Sequence, residues 1–491
     1  MFFERSVDTA LHEPTFSYRL GGLDHQTCDV RRGKLRNIRH QGRAGILLDD
    51  VHGAVALGPH NLNEPIGSIG FWVLPMEDLH TSQRLDHHNL NVADADEFTL
   101  LSDRETVKDS RASHFSIVWS SYWHPSFFVK RFPGHIYQAY REPQKAAATA
   151  GHFSWNGGQW YHVGYSWNLP KNRHRLYVNG ILAGVEDRWH KGSLQTSHAA
   201  GTLFFGSSMF ALGDVTGFSS EVEEWTPQLA AENANFNPAI QTKLRATYLG
   251  EGIAPLHLPV DNGWETALEL PFESPRDLER FQIQGCAQAP MIEERGLRIT
   301  TPLQDPAHDF SILDLNHVYL WSRDWFEGDL HISYEFQNLR RGGLSLLMAQ
   351  CSGMQREDFW KSHRPRSNGI MKTVCWEDVR NYHWEYLREM DDVRNDVASH
   401  ALLKNPWHRA LGFRVHGPLY PQETWLRLDF LQTGGRIQCA INGQAILDVE
   451  DRADQNNGPV LTAGRFAIRC MTRTDILIRN LSVRTRTLWY D

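Results

Sequence analysis

The sequence predicts an all-β protein built as two antiparallel β-sandwiches in tandem, and three observations predict it. Apolar residues fall in alternating or short continuous runs of about five to eight, punctuated by Gly, Asn, Asp and Pro, while long amphipathic helices are scarce. The chain has 491 residues, too many for one ordinary core. A stretch from Tyr248 to Gly263 contains Gly250, Gly252, Pro255 and Pro259, breaks the strand pattern and reads as a linker. The expected domains are residues 1–250 and 264–491.

In the first half, residues 68–75, 115–119, 159–167, 175–180 and 202–206 read as strands. Asn179-Gly180 is a two-residue hairpin signal, because both residues tolerate positive φ. In the second half, strands are expected at 296–299, 318–321, 330–336, 344–349, 426–430, 437–441 and 464–469. Asn442-Gly443 gives another hairpin there.

Composition excludes several function classes. A net charge of −8 disfavours a general nucleic-acid binder, since phosphate contacts need a basic surface. No run of about eighteen apolar residues exists that could cross a bilayer, so no membrane partner is expected. Glu4 and Arg5 follow directly on three apolar residues, which leaves no apolar core for a secretory signal. The expected location is cytoplasmic, or exported with the leader absent from this sequence. Cys28, Cys286, Cys351, Cys375, Cys439 and Cys470 form no CxxC pair and are expected as reduced core thiols. Neither His87-His88 nor His308 and His317 fall in a short metal-ligand pattern, and no phosphate loop or nucleophile elbow is present. What stands out is aromatic: seventeen Trp and fourteen Tyr exceed the needs of a core this size, and flat rings with a polar edge are surfaces on which sugars stack.

These segments also carry two resemblances. The order GSIGFWVLP, NGGQWYHVGYSW, RLYVNGILAG, TLFFGSS and GFSSEVEEW resembles the laminin-G-like branch of the concanavalin A-like superfamily, over residues 40–245. That resemblance implies a concanavalin A-like sandwich, and some members bind calcium through loop carboxylates, for which Asp49, Asp50 and Asp214 are candidates by type. In the second half, HVYLWSRDWFEGDLHISYEF, RSNGIMKTVCW, NYHWEYLREM, LLKNPWHRALGFRVHG and NGPVLTAGRFAIRCM resemble the uncharacterised YesU-like bacterial family, over residues 265–487. This resemblance implies a concanavalin A-like jelly roll and an association with pectin and other uronic-acid polysaccharides.

Strand periodicity then nominates a site. If 382–388 is a regular strand, Tyr382, Trp384, Tyr386 and Arg388 share one face, a sugar platform with a cation. Phe413 and Val415 are expected in the core, which sets Arg414 and His416 on the opposite face. Phe466, Ile468 and Cys470 form an apolar face and leave Arg469 on the other. Three arginines on non-core faces predict a cationic, aromatic trough for an acidic oligo- or polysaccharide, since guanidinium forks pair bidentately with carboxylates. Lys372, Lys404 and Trp321 complete the expected binding set. Cleavage by β-elimination would use Arg414 or Arg469 to neutralise the uronate carboxylate, and His383, His416 or Tyr386 to move protons. The rival chemistry is hydrolysis by a carboxylate pair, Glu385 with Glu335. The Glu-x-Asp-x-x-Glu motif of laminarinase-like hydrolases is absent, and Glu221-Val222-Glu223-Glu224 departs from it. The third reading is a non-catalytic carbohydrate-binding protein. No cofactor is expected beyond calcium in the first domain.

Overall fold

Short β-branched and aromatic runs joined by tight turns pair with their chain neighbours, and the computed structural model shows four antiparallel sheets. It describes residues 11–20, 29–49, 53–77, 97–102, 116–120, 126–130, 148–150, 155–186, 202–256, 263–302, 317–362, 369, 374, 378–389, 398–417 and 421–487, with gaps of one to four residues inside some of these spans. The chain forms two units that divide between Arg245 and Ala246.

In the first unit, one sheet runs in the order Ile181–Glu186, Arg173–Val178, Tyr161–Asn168, Ile66–Pro75, Phe210–Phe218, Arg43–Leu48, Leu35–His40. The other runs Ala148–Ala150, Ser126–Lys130, Ser116–Ser120, Glu97–Ser102, Thr202–Phe205, Ala54–Pro59, Asp29–Arg32. The expected hairpin is present: Asn179 and Gly180 have φ of 49° and 78°, the left-handed pair that matches strand twist.

The first of these sheets is buried on both faces. Along Ile66–Pro75, Ile69, Phe71 and Val73 alternate with Trp72 and Leu74, and all five are buried. Trp72 and Leu74 join Trp160, Tyr177, Trp225 and Leu229 in a second apolar layer, roofed by the helix Trp225–Ala231. Gly70 and Gly164 make its seat; a Cβ on Gly164 would stand 2.6 Å from the Trp225 ring. Tryptophan that composition alone assigned to sugar stacking is here spent on packing.

In the second unit, one sheet runs Met291–Glu293, Gly296–Thr300, Asp475–Arg486, Asp329–Asn338, Trp425–Thr433, Arg436–Ile441, Gln444–Glu450. Its partner runs Phe281–Gly285, Val318–Ser322, Ala463–Cys470, Gly343–Gly353, Val379–Glu389, Ala398–Asn405, Arg409–Gly417. Between them lies one apolar core, with Ile332, Phe336, Leu428 and Phe430 from the first sheet and Leu320, Leu347, Phe466 and Ile468 from the second. Asn442 and Gly443 turn the predicted second hairpin at φ of 52° and 75°. Cys351, Cys439 and Cys470 are buried thiols outside any disulfide. Cys28, Cys286 and Cys375 lie outside the described residues. Among the described residues no helix is long and apolar enough to cross a membrane.

Candidate functional site

The sheet that ends in Arg409–Gly417 has two faces, and side-chain alternation decides what each carries. Phe466, Ile468 and Cys470 enter the inter-sheet core, so Arg465, Ala467 and Arg469 stand on the outer face. Backbone register carries that face across the sheet. Tyr319 and Leu346 flank Arg469, and Leu346 in turn pairs with Glu385. In the next row, Trp321, Ala467, Met348 and His383 pair in succession. Arg469 and Glu385 are thus two strands apart, about 10 Å between backbones, a gap that side chains span.

Every polar group in this cluster is deeply placed. Arg469 is 0% exposed, His383 1% and Glu385 4%. The Arg469 Nη2 lies 3.2 Å from His317 Nδ1, and its guanidinium sits 4.9 Å over the Tyr319 ring. Burial, then the Arg469 charge, pushes His317 well below its ordinary pKa. His317 is therefore neutral and its Nδ1 accepts from Arg469. Tyr319 and Trp321 stack with ring centres 5.6 Å apart, and the Trp321 indole donates to Gln284 Oε1 at 2.9 Å. Asn405 Nδ2 donates to Asn381 Oδ1 at 2.8 Å and points at His383 Nδ1, 3.4 Å away. That contact leaves the His383 proton on Nε2, which is 3.7 Å from Glu385 Oε1.

Of the residues singled out from sequence, Arg469, His383 and Trp321 meet on this face. The others do not. Tyr382, Trp384 and Tyr386 are fully buried inside the inter-sheet core and form no sugar platform. The strand is also irregular: Ser345 pairs with Leu387 and Leu346 with Glu385, so Tyr386 is skipped and Leu387 joins the core beside it. Burial pushes the Tyr386 phenol far up, which removes it as a proton carrier at neutral pH. Arg414 points the other way from Arg469. Gly412, two residues before it, backs onto Val449 and Leu447, and Arg414 Nη1 donates to the Ala445 carbonyl at 3.3 Å. The expected common trough of arginines is therefore absent, because Arg414 and Arg469 occupy opposite faces of one sheet. Lys404 is buried and committed to the buried Asp451, 2.8 Å away, and to the Gly458 carbonyl at 2.7 Å. The side chains of Arg388 and His416, and all of Lys372, lie outside the described residues.

The hydrolytic pair fails on the same geometry. Glu335 binds Arg479 at 2.7 Å on the outward face of the other sheet, while Glu385 is on the outward face of its own. The whole sandwich separates them, too far to flank one glycosidic bond. In the first unit, Asp49 accepts from the Lys34 amide and Asp214 from the Leu20 amide and Arg19. Asp50 lies outside the described residues. Among the described residues no three His, Cys, Asp or Glu side chains converge.

Periodicity alone left out His317, Tyr319, Asn381 and Asn405. A signal did exist in Tyr382-His383-Trp384-Glu385: with its aromatics taken as core, the alternate His383 and Glu385 fall on the outward face.

Known proteins are similar to parts of this chain. The uncharacterized protein YesU of Bacillus subtilis (strain 168) is 22% identical over 220 residues, which are 43% of this chain and 92% of that protein. A protein of unknown function with a galectin-like fold from Bacillus subtilis matches 45% of this chain and 97% of its own, at 21% identity and a TM-score of 0.40. The carbohydrate binding module CBM66 from Bacillus subtilis matches 45% and 96%, at 10% identity and a TM-score of 0.25. Residues 267–483 match the family described as a domain of unknown function, DUF1961, and this half of the chain is YesU-like.

Proposed function

We propose that the protein acts on a uronic-acid-containing saccharide by β-elimination, at the outer face that holds Arg469, His383 and Glu385. One observation carries this reading: a guanidinium and a His–carboxylate pair stand on one face with a single strand between them. Elimination needs these two functions side by side. Arg469 would pair with the uronate carboxylate and draw off charge, which acidifies the C5 proton. Glu385 would take that proton as the C4–C5 double bond forms and the C4–O bond breaks. His383, with its proton on Nε2, would orient the Glu385 carboxyl, and the proton taken from C5 would pass from Glu385 to the leaving oxygen. Trp321 and Tyr319 supply the aromatic surface, the role that Trp384 cannot fill from inside the core.

Incubation with polygalacturonate and other uronic-acid polysaccharides, followed by ultraviolet absorbance and reducing-end assay, tests the reading. Absorbance of an unsaturated uronide is the expected result. Glu385→Gln should lower its rate by about 10²- to 10⁴-fold, the usual contribution of a positioned proton carrier. Reducing ends without a double bond would replace elimination by hydrolysis. Retention on an acidic-polysaccharide gel with no product would leave a binding protein.

A further inference from the structure

Trp321 is 0% exposed although it faces outward from the sheet, and what covers it is a short segment of this same chain. After Gly343–Gly353 the backbone doubles back. The Gly353 amide donates to the Glu357 carbonyl at 2.8 Å and the Arg356 amide to the Gly353 carbonyl at 3.0 Å. The turn is tight enough that a Cβ on Gly353 would collide with the Glu357 carboxylate. It delivers Phe359 edge-on to Trp321, with ring centres 4.9 Å apart at 69°. One residue earlier, Asp358 is gripped by both ends of the Arg465 fork, at 2.8 and 2.7 Å. Arg465 is only 6% exposed and lies on the same outer face as Arg469, four residues along the strand. Arg465 Nη1 also donates to the Ser322 carbonyl at 2.6 Å, so the fork is fixed before it meets Asp358. Burial alone would raise the Asp358 carboxyl, but the Arg465 hydrogen bonds and charge hold it lowered, and it stays ionised at neutral pH.

We infer that Phe359 is an autoinhibitory plug, seated on the ring where a sugar would stack and latched there by the Arg465–Asp358 pair. The inference rests on the site proposed above and adds how that site is closed: saccharide must displace Phe359 before it reaches Trp321. A plug seated by an aromatic edge and latched by an ion pair gives a closed state that a ligand can outcompete. Its apparent affinity is the intrinsic affinity scaled by the fraction of time the latch is open.

Two readouts on the full chain separate this inference from the functional reading. N-bromosuccinimide oxidation mapped to the Trp321 peptide reports whether the ring is covered. Calorimetric titration with a galacturonate hexamer reports binding. Asp358→Asn keeps the shape of the turn while it weakens the latch, and Phe359→Ala removes the plug itself. In both variants Trp321 should become reactive, and hexamer affinity should rise by about tenfold, as for a site otherwise open a tenth of the time. Trp321 as protected in both variants as in the unmodified chain would overturn the plug. A reactive Trp321 with unchanged affinity would overturn its inhibitory role while the saccharide site stands. No hexamer binding by any form, with Trp321 reactive, would overturn the saccharide site and the inhibition together.

Discussion

Tyr382 shows how one hydroxyl changes the meaning of an aromatic residue. Its ring lies in the inter-sheet core, while its Oη donates to Asp451 at 2.5 Å and accepts from the Leu461 amide at 2.9 Å. Lys404 completes the group from the paired position on the next strand. Burial raises the Asp451 carboxyl and lowers the Lys404 amine, so each depends on the other for its charge. Lys404→Met should therefore cost about 3–5 kcal/mol, as for any buried charge stripped of its partner. Tyr382→Phe should cost about 1–3 kcal/mol. Denaturant midpoints will show both, and a Lys404→Met protein of unchanged stability would contradict the buried pair. Trp384→Ala should likewise lose about 3–5 kcal/mol of stability, the signature of a core ring. A surface sugar platform would lose affinity instead. None of these pairings was legible in sequence, because Lys404 and Asp451 are 47 residues apart and nothing in either neighbourhood marks them.

Strands and turns were the legible elements. Asn179-Gly180 and Asn442-Gly443 announced their hairpins because few other pairs tolerate two positive φ values in a row. Which face of a strand looks outward was less legible. Alternation gave the correct split for Phe466, Ile468 and Arg469, where one face is purely aliphatic or aromatic and the other charged. It inverted the split in Val379–Glu389, where Tyr and Trp alternate with His and Glu and either set could be core. The bulge at Tyr386 has no marker in the sequence at all. The roof of the first unit was also invisible, since Trp225 lies in an acidic stretch that reads as surface. Gly164→Ala should push the Trp225 ring off its seat and cost about 1–3 kcal/mol, the usual range for overpacking. Near-ultraviolet circular dichroism would report the displaced indole, and an unperturbed spectrum with native stability would argue against the tight seat.

At the scale of the molecule, the two sandwiches share an acid sensitivity. Burial holds His162 in the first unit and His400 in the second at about 3, and His317 is lowered with them. Unfolded histidine takes its proton near pH 6.5, whereas these three stay neutral while the chain is folded. Their contribution to stability is therefore whole above pH 6.5 and shrinks as pH falls, by up to about 1.4 kcal/mol per pH unit for each histidine. Asp429 adds to this in more acid solution: His331 and Arg427 keep its carboxyl lowered against the pull of burial, and protonation there removes their support. Thermal melts between pH 7.5 and 5 should show transitions that move down together, and a His400→Gln chain should show a shallower slope. A melting temperature flat across that range would refute neutral burial.

The first unit's second apolar layer limits what that unit can become. A ligand cleft carved into its helix-covered face would begin by evicting Trp225, and with it the contacts of Trp72, Tyr177 and Leu229. Mutational paths toward a new recognition surface therefore run through the loops at the sheet ends, where side chains can change without dismantling anything beneath them.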